Sequence, residues 1–334
     1  MKMNLTYMLF LFMLIMSTFI CISSNSWLGA WIGLEMNLLS FIPMLNDNKN
    51  LLSNESSLKY FLVQVFASIL LLFFISLNFL FKNFFSMMYF NEIYLILLNS
   101  SLFLKMGAAP FHFWFPSMME GMNWMNNFIL MTWQKINPMI CLSYCINMNY
   151  FYLISLLSIM IGALGGLNNS SLQKIITYSS ITHIGWMIIA LMNNEMNFWF
   201  YFFIYFIISL IITMNFNFLK LFYMNQMLSN SMNYITKITL MMMFLSMGGL
   251  PPFLGFFPKW IIIESMINMN MIFYSIIMIL CTLLMLYIYL RFAFSILIMN
   301  NFQMSWKIYM KLNFSYLFMN FLSLIFPFLF LFMI

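Results

Sequence analysis

The chain has 334 residues, of which 64% are hydrophobic, 20% aromatic and only 6% charged, with a mean hydropathy of +0.96 and a formal net charge of +6. Soluble domains are near half apolar and a quarter charged, so the main solvent of this chain is lipid. A disordered tail, a nucleic-acid binder and a disulfide scaffold are excluded: polar residues are too few, the basic residues are scattered, and the four cysteines, Cys21, Cys141, Cys145 and Cys281, form no C-x-x-C pair.

Run length points to helices. A bilayer-spanning helix takes about 20 apolar residues, whereas barrel strands alternate over about ten. In chain order the apolar runs predict eleven spans, at 5–22, 27–45, 60–81, 87–118, 123–146, 150–167, 172–192, 197–219, 238–263, 270–298 and 312–333. The first run is too long for the apolar region of a signal peptide and no A-x-A-like site follows it, so it is expected as a retained helix. The expected class is an all-α membrane protein with short loops.

Loop parity then sorts the charges. One face collects Lys2, Lys49, Lys59, Lys174, Lys220, Lys237, Arg291, Lys307 and Lys311, and the other holds Lys82. Nine to one is a strong positive-inside bias. It supports eleven spans, with the N-terminus on the Lys-rich side and the C-terminus opposite. Asp47, Glu55 and Glu120 fall on the Lys-rich face, and Glu92, Glu195 and Glu264 on or near the other.

Four ionisable residues remain inside spans: Glu35, Lys105, Lys135 and Lys259. Insertion scales assign about 2.5–3.5 kcal/mol of cost to each such charge at a helix centre. A snorkelling or locally satisfied charge accounts for one of them. It is a poor account of four, which point instead to a proton or ion path.

The fourth and ninth spans are interrupted. One reads K-M-G-A-A-P-F-H-F-W-F-P from Lys105, with Gly107 and Pro110 at its break. The other reads M-G-G-L-P-P-F-L-G-F-F-P-K-W from Met247, with Gly248, Gly249, Pro251 and Pro252. Proline strips carbonyls four residues back of their donors, and irregular backbone at membrane depth survives only in protein or beside a cavity. Pro110 and Pro252 are 142 residues apart, and each break falls in the fourth helix of a five-helix block, 1–147 or 148–298. Five is odd, so the second block starts from the opposite face. Two inverted five-helix repeats follow, with 299–334 as connector and last helix, and matched broken helices point to a midplane ion site.

The fifth span carries W-Q-K-I-N-P, where Pro138 frees the carbonyl of Gln134 beside Lys135, and Gln134 and Asn137 add polar groups. A lysine so placed is a proton carrier whose charge state follows its neighbours. His112 lies next to Pro110 in the first break. His183 lies roughly at the midplane, nine residues from Lys174 at 1.5 Å each, with Ser179, Ser180 and Thr182 within a turn. Each histidine, with Ser179 and Thr182 beside the second, fits either a hydrogen-bonded proton chain or a packed, singly bonded side chain. Two histidines without nearby carboxylates make no metal site. Gly29/Gly33 and Gly162/Gly166 mark close helix packing. Neither a G-x-G-x-x-G nor a Walker loop occurs, so no nucleotide site is visible.

Six stretches together carry a resemblance: G-L-E-M-N at Gly33–Asn37, K-M-G-A-A-P-F-H-F-W, W-Q-K-I-N-P, L-G-G-L-N at Leu164–Asn168, S-S-I-T-H-I-G-W-M and G-G-L-P-P-F-L-G-F-F-P-K-W. The chain resembles the antiporter-like membrane subunits of respiratory complex I, the proton-pumping NADH:ubiquinone oxidoreductase, which are similar to Mrp-type cation/proton antiporters. The likeness runs over essentially the whole chain and is weakest after residue 299. It is to the shortened animal form, which lacks three N-terminal helices of the bacterial one. The Met- and Phe-rich, Ala-poor composition suits an animal mitochondrial code. The resemblance implies that Glu35, Lys105, Lys135 and Lys259 transfer protons, Glu35 as partner of Lys105. It implies a mitochondrial inner-membrane location, N-terminus in the matrix and C-terminus in the intermembrane space. Partners are then neighbouring antiporter-like and small membrane-arm subunits and phospholipid such as cardiolipin. No cofactor is expected in this chain: NADH, FMN, Fe–S clusters and ubiquinone serve other subunits. Two alternatives are a stand-alone secondary antiporter and a structural spacer of the membrane arm.

Overall fold

A computed structural model describes residues 5–46, 50–82, 88–229 and 234–298, which are almost wholly helical. The chain forms two compact units, Met1–Ser155 and Leu156–Ile334. The boundary falls inside one helix, α8 (Met148–Gly166).

The first unit holds α1 (Leu5–Ser23), α2 (Trp27–Leu45), α3 (Leu51–Lys82), α4 (Met88–Met106), α5 (Trp114–Met119), α6 (Trp124–Met131), α7 (Trp133–Ser143) and the start of α8. Ser26 opens α2 by accepting the Gly29 N–H on its Oγ at 3.2 Å, satisfying one of the free donors of a helix start. α1 lies along α2 because Gly33 has no side chain: a Cβ there would sit 2.8 Å from the backbone nitrogen of Cys21. In lipid such close backbone approach replaces the hydrophobic effect as the force that joins helices. The remaining face of α1 leaves Leu5, Leu9, Phe12 and Phe19 exposed, as a lipid-facing helix should.

α3 begins nine residues before the expected residue 60, at Leu51. The polar stretch that reads as a loop is the first two turns of the helix. Ser53, Ser56 and Ser57 turn their hydroxyls onto carbonyls three residues back, and Glu55 pairs with Lys59 at 2.6 Å, one turn on.

The expected fourth span divides into α4 and α5, as its glycine and proline predict. The expected fifth span also divides, between α6 and α7 at Thr132 (φ −114°, ψ −72°). Thr132 donates to the Phe128 carbonyl at 2.7 Å, and Lys135 N–H bonds the Thr132 carbonyl at 3.1 Å in a tightened turn. This kink lies six residues before Pro138, which the helix α7 accommodates.

The second unit holds the end of α8, α9 (Leu172–Asn193), α10 (Glu195–Leu219), the short α11 (Met224–Ser229), α12 (Tyr234–Gly248), α13 (Phe256–Asn268) and α14 (Ile272–Ile298). α9 is its axis: 94% of its most apolar stretch is buried, against 33% for α14. A helix that is apolar all round belongs inside a bundle, and α10 and α13 pack on it. Gly162 of α8 meets Tyr178 and Thr182 of α9 at backbone distance, which places the small-residue contact expected there.

Among the described residues, seven helices are long and apolar enough to cross a membrane: α1, α2, α3, α8, α9, α10 and α14. The expected spans at 87–118, 123–146 and 238–263 each consist of two helices in succession. The expected span 312–333 and the connector before it lie outside the described residues, as do Lys2, Asp47, Lys49, Lys307 and Lys311. The count of eleven is therefore not fixed by the structure.

Candidate functional site

In the first unit α4 ends in a left-handed glycine, Gly107 (φ 74°). The Ala108 N–H bonds the Phe103 carbonyl at 3.1 Å and the Gly107 N–H bonds the Leu104 carbonyl at 3.2 Å. This paired closure is a Schellman cap, which satisfies carbonyls that the end of a helix would leave bare. Lys105 stands in the last turn, where the negative end of the helix dipole favours a cation. Gln64 of α3 holds that turn by donating to the Lys105 carbonyl at 3.0 Å.

Lys105 and Lys135, 7% and 2% exposed, line one small cavity of about 20 Å³, enough to admit a water molecule. Asn37, Tyr60, Gln64 and Gln134 contribute its other polar lining, and Trp114 and Phe115 of the broken segment its aromatic wall. The Tyr60 hydroxyl and Gln134 Oε1 are 3.2 Å apart. Asn37 Oδ1 and Gln134 Nε2 are buried without a protein partner among the described residues. A water needs two to four polar partners, and these groups supply them between the two lysines. Lys135 Nζ lies 5.6 Å from the centre of the Phe115 ring, a contact that becomes cation–π when the amine takes up a proton.

Glu35 is half-buried on α2, and its Oε1 has no hydrogen-bond partner among the described residues. It lies within electrostatic reach of Lys105 and Tyr60, but no direct ion pair joins it to Lys105. Among the described residues the ion pair is Glu55–Lys59. Glu35 therefore acts on Lys105 through space.

In the second unit α12 ends at Gly248 with the same closure. Gly249 is left-handed (φ 79°), the Leu250 N–H bonds the Leu245 carbonyl at 3.4 Å and the Gly249 N–H bonds the Ser246 carbonyl at 3.2 Å. The following turn, with Pro251 and Pro252, runs into α13, where Lys259 is 9% exposed. Its Nζ reaches back to donate to the Gly248 carbonyl at 2.8 Å.

His112 contacts its own segment. Nδ1 is 3.3 Å from the Pro110 carbonyl oxygen and the ring packs on Phe113 at 4.4 Å. It does not line the lysine cavity. His183 is better placed for exchange: Nδ1 is 2.7 Å from the Tyr201 hydroxyl and the ring lies 4.9 Å from that of Tyr205. Ser179 and Thr182 donate to carbonyls of their own helix, Ile176 and Ser179, each at 2.6 Å.

Residues 24–285 match the family described as NADH:quinone oxidoreductase/Mrp antiporter, TM. NADH-ubiquinone oxidoreductase chain 2 of Anopheles gambiae is 53% identical over 324 residues, covering 96% of this chain and 94% of its own. The chain belongs to the NADH-ubiquinone oxidoreductase chain 2 family. Respiratory complex I from Thermus thermophilus with bound aureothin contains a chain of the same fold, with a TM-score of 0.85 at 19% identity, covering 98% of this chain and 79% of that one. The Mrp complex from Dietzia sp. holds another, with a TM-score of 0.74 at 14% identity over 85% of this chain and 59% of that one.

Within this chain 2 family fold, the structure joins Lys105 to Lys135 in one cavity and sets Glu35 near it. It keeps His112 apart from that cavity. Sequence reasoning missed Tyr60, Gln64 and Asn37 around the lysines, and the buried Tyr201, Tyr205 and Tyr289 around His183. The Tyr205 hydroxyl engages Ser180 and that of Tyr289 engages Ser179. Tyrosines in a chain that is 20% aromatic carry no signal of their own. Spacing from His183 at Tyr201 onto a neighbouring helix is visible only in three dimensions.

Proposed function

We propose that the chain is a proton-translocating core subunit of the membrane arm of NADH:ubiquinone oxidoreductase, multi-pass in the mitochondrial inner membrane. Protons move over Glu35, Lys105, Lys135 and Lys259 while quinone is reduced in other subunits. Family membership supports the setting. The observation that carries the mechanism is the shared cavity between Lys105 and Lys135, lined by unpaired amide atoms.

A change of charge arriving laterally alters the hold of Glu35 on Lys105. Lys105 then favours giving its proton to Lys135 through water, and Lys259 releases a proton towards the positive side. Like charges in a low dielectric titrate as a coupled set, so moving one proton shifts the next. The chain acts as a non-redox subunit of an H+-translocating NADH:ubiquinone reductase, and NADH, FMN, Fe–S clusters and ubiquinone are handled by its partners. Those partners include neighbouring antiporter-like and small subunits, with phospholipid such as cardiolipin against the apolar outer faces. The N-terminus faces the matrix and the C-terminus the intermembrane space. The two five-helix blocks, 1–147 and 148–298, form an inverted repeat, a reading favoured by the matching glycine caps at Gly107 and Gly249.

The test is Lys135→Met and Glu35→Gln in the assembled complex, reconstituted in vesicles. Expected are normal assembly with lowered proton pumping and lowered coupled quinone reduction. Full pumping by both correctly assembled variants overturns the reading.

A further inference from the structure

Three of the four cysteines lie in the first unit, and the proton path uses none of them. Cys21 of α1 and Cys141 of α7 are both fully buried, and their sulfurs are 3.5 Å apart although 120 residues separate them in sequence. Cys145 is engaged elsewhere, its Sγ 2.7 Å from Asn99 Oδ1. Cys21 is held in place from behind, since its backbone presses on Gly33 of α2. Lys105 lies within electrostatic reach of both Cys21 and Cys141.

We propose that Cys21 and Cys141 form an oxidisable dithiol, which hydrogen peroxide closes to a disulfide that ties α1 to α7 beside the lysine cavity. One thiolate attacks an oxygen of the peroxide. The O–O bond breaks, a sulfenic acid forms, and the departing hydroxide takes a proton to leave as water. The second thiol attacks the sulfenic sulfur, the S–S bond forms as the S–O bond breaks, and the departing hydroxide takes the thiol's proton to leave as a second water. Two thiols lose two electrons in all, and one peroxide becomes two waters. Closure draws the sulfurs from 3.5 Å to about 2.05 Å. It therefore shifts α1 against Gly33, two residues before Glu35, and pulls on α7, which carries Lys135. The cross-link stands on geometry alone; its effect on pumping rests on the proton path proposed above.

The experiment uses membranes holding the assembled complex, treated with hydrogen peroxide, denatured in iodoacetamide, digested and mapped by mass spectrometry. Expected is a linked Cys21–Cys141 peptide pair that dithiothreitol removes, with pumping falling and recovering in step. A Cys21→Ser complex should form no link, keep its basal pumping and resist the peroxide-dependent fall. Recovery of both cysteines alkylated while Cys281 is oxidised overturns the proposal, as does a Cys141–Cys145 link. A link without any change in pumping overturns the coupling to the site. If Lys135→Met also leaves pumping untouched, the proton path has failed rather than the cross-link.

Discussion

Lys259 Nζ donates to the carbonyl oxygen of Gly248 at 2.8 Å, so this ammonium group closes the very break in whose far side it is rooted. Its own helix, α13, presents a positive N-terminal end to it. By reaching back it sits instead on the negative C-terminal end of α12. Lys105 obtains the same setting directly, in the last turn of α4. In each unit a buried ammonium thus lies at the C-terminal end of a helix stopped by a left-handed glycine, a placement suited to binding and releasing a proton.

Lys259 has a structural and a chemical role that two substitutions separate. Lys259→Met leaves the Gly248 carbonyl unpaired, at a cost of about 1–3 kcal/mol. Lys259→Gln keeps a donor near it and removes only the charge. Both variants should lower proton pumping in reconstituted vesicles, and only the methionine variant should lower the thermal stability of the assembled complex. Wild-type pumping by the glutamine variant would show that no charge is needed there.

The glycine caps give a second prediction. An alanine in the left-handed region costs about 1–2 kcal/mol, so Gly107→Ala and Gly249→Ala should each reduce stability by about that much. Their functional effects should differ. At Gly107 the new methyl meets the Phe115 side chain at 3.3 Å, whereas at Gly249 it lies 3.0 Å from Lys259 Nζ and 3.0 Å from the Gly255 carbonyl oxygen. Gly249→Ala should therefore lower pumping more than Gly107→Ala at equal levels of assembled complex, as read by blue-native gels and vesicle acidification. Equal pumping by the two would sever the cap from Lys259.

Much of this was legible in the sequence because lipid makes exceptions conspicuous. Glu35 and three lysines stand out in an apolar chain, and the Gly/Pro clusters at Gly107 and Gly249 mark breaks by their backbone chemistry alone. The kink at Thr132 was not legible, since threonine is neither glycine nor proline and the apolar run continues through it. The early start of α3 was hidden because Ser53, Ser56 and Ser57 read as a loop, yet satisfy their hydroxyls within the helix. The missing ion pair between Glu35 and Lys105 could not be foreseen either. Residues 70 apart in sequence reveal their separation only once α2 and α4 are packed.

The cavity between Lys105 and Lys135 yields a third prediction. Gln134→Leu preserves approximate volume, removes the unpaired Nε2 and deprives the Tyr60 hydroxyl of its partner at 3.2 Å. Loss of that bond should reduce stability by about 1 kcal/mol. An apolar wall in its place disfavours water between the lysines, so pumping should fall with assembly intact. Lys59→Ala serves as the control: it breaks an exposed ion pair worth about 0.3–0.5 kcal/mol and should change neither pumping nor assembly. A Gln134→Leu complex that pumps normally would mean that no water in this cavity takes part.

The hydroxyls near His183 divide into two groups, and substitution tells which of them matters. Thr182 spends its proton on the Ser179 carbonyl of its own helix, a bond that anchors the side chain and leads nowhere. Tyr201 comes from the next helix and shares a 2.7 Å bond with His183 Nδ1, so it holds the imidazole from outside α9. Tyr201→Phe keeps the ring packing and removes that bond. Thr182→Val keeps the shape and removes only the bond within the helix. The expected outcome is lowered pumping for Tyr201→Phe, with a stability loss of about 1 kcal/mol, and near wild-type pumping for Thr182→Val. Vesicle acidification at matched rates of NADH oxidation makes the comparison. The reverse order would favour the hydroxyls of α9 as proton carriers and leave His183 as a packed side chain.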